Sequence, residues 1–257
     1  MKKYPVTFVG AGPGDPELIT VKGKKALENA DMVIYAGSLV PEAVISWAKS
    51  DVQLENSASM HLDQIINLIK DGFHRGKRVV RLHSGDPSLY GAIFEQMFAL
   101  RQLGIPYEVV PGVTAAFAAA AAMGIEYTMP ELCQTLILTR MAGRTPTPEL
   151  ESVKSLAAHQ ASMAVYLSSS LAENVGEILS NAYGETASVV VAYRVSQPDQ
   201  KIVWTTTGNL AETMKAEQID RQALIIAGKV LERSDKNFPV SKLYDPTFSH
   251  GFRKADG

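Results

Sequence analysis

Two α/β domains are the fold class this sequence predicts. Three features carry that expectation. The chain has 257 residues, 46% hydrophobic and 20% charged, enough for two modest cores. Its first half alternates short apolar runs with amphipathic stretches, and a second series of strand signals follows the Tyr127-Thr128-Met129-Pro130 segment.

The first strand is Val6-Thr7-Phe8-Val9, followed by a helix from about Glu17 to Asn29, the strand Met32-Val33-Ile34-Tyr35 and a helix around Glu42 to Ala48. A helix from His61 to Phe73, the strand Val79-Val80-Arg81-Leu82, a helix from Ala92 to Leu103 and the strand Tyr107-Glu108-Val109-Val110 complete this set. Runs that are apolar throughout, rather than alternating, belong to a mostly parallel sheet covered on both faces. An alanine-rich helix, Ala115 to Met123, has side chains small enough for close packing against a neighbour. Strands follow at 135–138, 163–167, 188–193, 202–205 and 223–227, with helices near 149–158, 171–181 and 209–215 between them. The predicted domains are residues 1–127 and 128–233. Residues 234–257, polar and broken by Pro239, Pro246 and Gly251, read as a tail or an arm laid on a partner.

A formal charge of −2 and a pI near 6.2 provide no global positive field for a polyphosphate partner, so no nucleic-acid role is expected. Met1-Lys2-Lys3-Tyr4-Pro5 leads directly into the first strand, and no uninterrupted apolar stretch approaches membrane-spanning length. A cytoplasmic protein without a membrane partner is expected. Cys133 is the only cysteine, which excludes an internal disulfide and a thiolate cluster. The histidines at 61, 74, 83, 159 and 250 lack metal-ligand spacing, so no metal is expected, and no Gly-x-Ser-x-Gly elbow is present.

Three strand ends carry small-residue turns: Gly10-Ala11-Gly12-Pro13-Gly14-Asp15-Pro16, Ser84-Gly85-Asp86-Pro87 and Pro111-Gly112-Val113-Thr114. The first invites a dinucleotide reading that fails on detail. Asp15 stands at the third glycine position, and the second strand runs into Tyr35-Ala36-Gly37 without a ribose-binding acid. Gly-Asp-Pro is also a competent plain turn. Because parallel strands emerge at one edge, however, the three turns are expected to surround one crevice, suited to a ligand with amine, hydroxyl and carboxylate groups. Asp86 is expected to matter for turnover and little for stability. Arg140, Arg144 and Arg194 are candidate carboxylate clamps. His83 reads equally as a helper at the site and as a packed side chain at a strand end.

Together these motifs resemble the tetrapyrrole methylase family, which transfers methyl from S-adenosylmethionine. The matching pieces are 9–16 with Leu18-Ile19-Thr20-Val21-Lys22-Gly23, then 78–82 with Ser84-Gly85-Asp86-Pro87, then 110–114, and Ala223-Leu224-Ile225-Ile226-Ala227-Gly228. Within the family, the segments at 35–40, 60–62, 86–92, 115–122 and 138–146 are similar to the branch that methylates C11 of precorrin-4 or cobalt-precorrin-4 in cobalamin biosynthesis. Relatives acting on uroporphyrinogen typically have an Asp-Arg pair after the second strand; here Ala36-Gly37-Ser38 stands there.

The resemblance implies a cofactor cleft between two α/β domains. From the first domain it implies contacts to S-adenosylmethionine, or its product S-adenosylhomocysteine, from Pro13, Ser84, Gly85, Asp86, Leu89, Thr114 and Ala115. From the second it implies Leu167 over the adenine and backbone groups of Val195 and Ala223. Asp86 would orient the cofactor, Tyr90 or His83 would assist proton movement, and Arg140, Arg144 or Arg194 would hold the tetrapyrrole's carboxylates. A homodimer is also implied, with the alanine-rich segment and the polar tail as contact surface. The rival readings are a methylase with another acceptor, such as C17 or C20 of the corrin, diphthine or a ribosomal RNA ribose, and a noncatalytic tetrapyrrole-binding protein.

Overall fold

Val6–Gly10 (β1) is buried at every residue, as a strand must be when both faces of its sheet are covered. In the computed structural model, which describes residues 3–232 and 241–255, it lies inside a parallel sheet. The other strands are β2 (Met32–Tyr35), β3 (Gln53–Asn56), β4 (Val79–His83) and β5 (Tyr107–Val110), in the order β3-β2-β4-β1-β5. Helices α1 (Val21–Glu28) and α2 (Glu42–Ile45) bring Leu27 and Val44 against Val9, Val33, Val80 and Leu82. On the other face α3 (Leu62–His74) and α4 (Ile93–Gln102) bring Ile65, Ile69, Phe73, Ile93 and Leu100 against Phe8, Ile34 and Val79. Residues 65, 69 and 73 repeat at four-residue spacing, the period of one helix face. Phe8, Ile34 and Leu82 are 0% exposed, and each such side chain contributes about 1.5–3 kcal/mol of transfer free energy.

Strand β3 is absent from the sequence expectation. Gln-Leu-Glu-Asn has no apolar run because this edge strand pairs only with β2 and leaves alternate residues exposed.

The alanine-rich helix α5 (Ala115–Met123) carries the chain from one unit to the next. Cα packing groups Met1–Ala118 with Ser196–Pro198, and Ala119–Val195 with Asp199–Gly257. The second unit contains β6 (Leu136–Arg140), α6 (Val153–Ala157), β7 (Ser162–Tyr166), α7 (Ala172–Tyr183), β8 (Ser188–Tyr193), β9 (Lys201–Thr206), α8 (Leu210–Ala216) and β10 (Ala223–Ala227). Its sheet runs β6-β7-β10-β8-β9. β6 and β7 are parallel, whereas β10 is antiparallel to β7 and β8, and β9 is antiparallel to β8. The last strand among the described residues is central because Ala-Leu-Ile-Ile-Ala has no polar residue to place in solvent, and all five are buried. Helices α6, α7 and α8 supply Val153, Val175, Leu179, Leu210 and Met214 to the core on one face.

Residues 234–240 and 256–257 of the polar tail lie outside the described residues. Within the rest, a 3-10 turn spans Lys242–Tyr244 and a bridge joins His250 to Arg253. No helix among the described residues is long and apolar enough to cross a membrane.

Candidate functional site

The strand order puts β1 between β4 and β5, so the three small-residue turns leave adjacent strands at one edge of the first sheet. They touch through backbone. Gly12 and Gly85 form an antiparallel bridge, with Gly85 N donating to Gly12 O at 2.8 Å and Gly12 N to Gly85 O at 3.3 Å. A Cβ on Gly10 would lie 2.6 Å from both Gly112 Cα and Gly85 O, and one on Gly112 would lie 2.1 Å from Gly85 O. Only glycine permits that approach.

Asp86 fastens the turns. Its Oδ1 accepts from Ser88 N at 2.8 Å and also from Ser88 Oγ, while Oδ2 accepts from Gly112 N at 2.8 Å. Partial burial pushes the Asp86 carboxyl up, but the bonds from Ser88 Oγ, Gly112 N and Ser88 N outweigh it and hold the group below its ordinary value. The carboxylate therefore supports the turn that carries Ser84 and Leu89 and joins it to the turn that carries Thr114. The expectation that Asp86 matters little for stability is replaced by this geometry.

Beyond Asp86 the chain is strained: Tyr90 and Ala92 have φ of 56° and 48°, a region that non-glycine residues seldom adopt. A Cβ on Gly91 between them would lie 2.1 Å from Pro87 O. Arg81 anchors the segment from below. It is 5% exposed, donating from Nε to Gln96 Oε1 and from Nη1 to Ile34 O, both at 3.1 Å, and Gln96 Nε2 donates to Ala92 O at 3.0 Å. Burial lowers the Arg81 pKa to about 10.

Two residues named for proton movement occupy different environments. Tyr90 is 43% exposed. His83 is 3% exposed and stacked on Phe8 with ring centroids 6.0 Å apart; its Nε2 is buried without a hydrogen-bond partner among the described residues. Burial, and secondarily the charge of Arg81, lowers its pKa to about 3, so the imidazole is neutral at ordinary pH.

The structure brings Pro13, Ser84, Gly85, Asp86, Leu89, Thr114 and Ala115 onto the three touching turns. A Cβ on Gly85 would lie 3.8 Å from Thr114 Cα. In the second unit the register places Arg140 at the end of β6, Leu167 after β7, Arg194 and Val195 after β8, and Ala223 at the start of β10, all at one edge of that sheet. Arg140, Arg144 and Leu167 line one cavity of about 530 Å³ with Met141, Gly143, Thr145, Ser170 and Leu171. Arg194 lies outside that lining and pairs with Asp199 at 3.0 Å. Val195 and Ala223 are buried.

Sequence reasoning missed Ser88, Gln96 and the cavity residues at 141, 143, 145, 170 and 171. An Asp-Pro-Ser sequence signals an Asp side chain accepting from the backbone two residues on, so Ser88 was within reach. Gln96 and the cavity wall depend on tertiary placement and have no local signal.

Comparison with known proteins adds three kinds of likeness. The family model for tetrapyrrole (corrin/porphyrin) methylases matches residues 5–211. A cobalt-precorrin-4 C(11)-methyltransferase of Methanocaldococcus jannaschii is 49% identical over 251 residues, covering 97% of this chain and 96% of that protein. A precorrin-4 C(11)-methyltransferase of Pseudomonas aeruginosa is 48% identical, covering 98% and 99%. Among solved structures, a cobalt precorrin-4 methyltransferase described as a cobalamin biosynthetic enzyme superposes with a TM-score of 0.87 at 47% identity, covering 89% of this chain and 96% of that one. A uroporphyrin-III C-methyl transferase from Thermus thermophilus, complexed with S-adenosylhomocysteine, gives 0.71 at 25% identity, covering 89% and 99%.

Two outcomes follow from the first-unit geometry. Asp86→Ala is expected to lower unfolding stability by about 1–3 kcal/mol, the cost of removing a charged acceptor from hydrogen bonds, and to weaken cofactor binding with it. An unchanged urea midpoint would remove Asp86 as the fastening between turns. The second outcome concerns pH. An unfolded histidine takes up a proton below about pH 6.5, whereas His83 resists until about 3. The unfolded chain therefore holds the extra proton between those values, and stability falls as pH drops through that window. His83→Leu should flatten the stability profile between pH 6 and 4 by up to about 1.4 kcal/mol per pH unit. Parallel profiles for the two proteins would contradict a buried neutral imidazole.

Proposed function

We propose a function from a plain premise: this chain belongs to the tetrapyrrole (corrin/porphyrin) methylase family. It is an S-adenosylmethionine-dependent C-methyltransferase that adds a methyl group at C11 of precorrin-4 or cobalt-precorrin-4 in cobalamin biosynthesis. The observation that carries this reading is 48–49% identity over nearly the full length of proteins named for that reaction. Ala36-Gly37-Ser38, in place of an Asp-Arg pair, supports a substrate other than uroporphyrinogen.

The donor set of the first unit fits the cofactor. Residues 10–16, 84–92 and 111–115 contain no Lys or Arg and include Asp15 and Asp86, so a sulfonium cation meets no like charge there. When bound, the cofactor supplies a methyl group already activated for displacement. The residues proposed to hold it are Pro13, Ser84, Gly85, Leu89, Thr114 and Ala115, with Asp86 fixing the turns, and Leu167, Val195 and Ala223 from the second unit. Their task is alignment, and positioning of reacting groups can contribute about 7–11 kcal/mol. Tyr90, being exposed, is the residue proposed to assist proton movement. His83 is assigned support of the turn from beneath. Arginines of the second unit, among Arg140, Arg144 and Arg194, serve the tetrapyrrole's carboxylates.

A cytoplasmic homodimer belongs to the same proposal. Phe94 and Phe98, 73% and 52% exposed, stand one turn apart on α4 and offer an apolar strip that a two-fold axis can cover.

Incubating the protein with methyl-labelled cofactor and either form of precorrin-4 is expected to place the label at C11. A label at C17 or C20, or tetrapyrrole binding with no transfer, would overturn the reading. Light scattering at micromolar concentration should give twice the 27.8 kDa chain mass; a single chain mass would remove the dimer.

A further inference from the structure

The arginines of the second unit differ in what already holds them. Arg140 lies inside the turn it begins, donating from Nη1 to Met141 O at 3.1 Å and Thr145 O at 3.2 Å, and from Nη2 to Pro146 O at 2.9 Å. Gly143 N closes the same turn on Thr145 O at 3.2 Å. The base of the turn is tied to the end of β7, because Ser168 Oγ donates to Tyr166 O at 2.6 Å and accepts from Met141 N at 2.9 Å. Arg194 is paired with Asp199. Arg144, at the crown of the Arg140 turn, is exposed and makes no hydrogen bond or ion pair among the described residues. It nevertheless lines the 530 Å³ cavity, whose walls include Leu167 and Leu171 and contain no acidic residue.

An exposed arginine on a loose loop is ordinarily just solvated. This loop is not loose. A guanidinium bridging three carbonyls fixes the turn, so Arg144 starts from a restricted position and loses less freedom on meeting a ligand. Leu167, 67% exposed with φ of 52°, is an apolar side chain held beside it by a strained backbone.

We propose that Arg144 is the residue that recognises a substrate carboxylate and that Arg140 is its positioning residue. This rests on the methylase reading and deepens it. The ligand is a polycarboxylated tetrapyrrole: its ring edge lies against Leu171, beside the Leu167 proposed to hold the cofactor, and one acidic substituent takes the forked guanidinium of Arg144. Arg140 acts through Arg144, because its Nη1 and Nη2 are engaged by the turn's own carbonyls.

The probe is uroporphyrin III, as the free acid and as its full methyl ester, titrated by fluorescence against the wild type, Arg144→Ala, Arg140→Ala and the double variant. Turnover of cobalt-precorrin-4 is measured in parallel. Arg144→Ala is expected to weaken the free acid roughly tenfold, on the order of one charge-assisted pair. It should leave the ester and S-adenosylmethionine binding unchanged, and raise KM with kcat retained. Arg140→Ala should weaken the free acid in the wild-type background and add nothing once Arg144 is gone, the non-additivity of a residue acting through another. Arg144→Ala sits on an exposed turn, so it keeps the test valid if Arg140→Ala folds poorly. Unchanged free-acid binding by Arg144→Ala overturns the assignment, as does a loss of S-adenosylmethionine affinity instead. A full additional loss in the double variant overturns the positioning role. Failure of the wild type to bind the free acid overturns the carboxylate subsite, whereas failure to methylate either form of precorrin-4 overturns the methylase reading itself, an outcome distinct from the others.

Discussion

The close approach of backbone at Gly10, Gly85 and Gly112 is the constraint on which the first unit depends. A Cβ on Gly10 or Gly112 would overlap main-chain atoms of a neighbouring turn, and main chain cannot swing aside as a flexible side chain can. Contact at that range lets Gly12 and Gly85 pair and brings Gly112 N within reach of Asp86. The parallel sheet sets the turns side by side; the absent side chains let them touch. One carboxylate then locks two of them. A larger residue at Gly10 or Gly112 would separate the turns before altering any chemistry, so the site and the fold share their weakest point.

Much of this was legible in the chain. Continuous apolar runs identified β1, β2, β4 and β10 because strands buried on both faces have no polar alternation to confuse the pattern. Small-residue turns at three strand ends located the first-unit edge for the same reason: parallel strands can emerge only together. Strand β3 was illegible, since Gln53-Leu54-Glu55-Asn56 gains its conformation by pairing with β2 and not by burial. Which strands flank β10 was equally hidden, because pairing partners separated by tens of residues leave no local trace. At the site, residue identity was easier to read than residue duty. Asp86 was visible as a ligand-loop carboxylate, but its acceptance of a hydrogen bond from Gly112 N, 26 residues on, was not.

Charge shows the same division between identity and duty. Arg81, Arg140, Arg144 and Arg194 are one residue type in four settings. Arg81 is buried against Gln96 and a carbonyl, Arg140 clasps its own turn, Arg194 meets Asp199, and Arg144 faces a cavity. Desolvation disfavours the charged form wherever water is removed, so Arg81 and its neighbour His83 are both shifted down, and the histidine is neutral beneath the turn. A second full charge there would lie close to Arg81 with no carboxylate between them among the described residues. The charge of Arg81 thus adds to burial in keeping His83 neutral, and Arg81 in turn holds Gln96, which bonds Ala92 O.

Backbone strain marks both sheet edges. Tyr90 and Ala92 follow β4, Leu167 follows β7, and Arg194 and Ser196 follow β8, all with φ between 43° and 64° and none a glycine. Each such residue costs about 1–3 kcal/mol and persists only where its surroundings over-determine it. The surroundings here are specific: Gln96 bonds Ala92 O, Ser168 ties the segment beside Leu167, and Gln222 O accepts from Arg194 N at 3.0 Å. Glycine at these positions would relieve the strain but remove the side chain that each turn presents. Keeping tyrosine, leucine and arginine in left-handed backbone therefore trades stability for direction, and it does so at the strand ends where the two sheets carry their candidate ligand contacts.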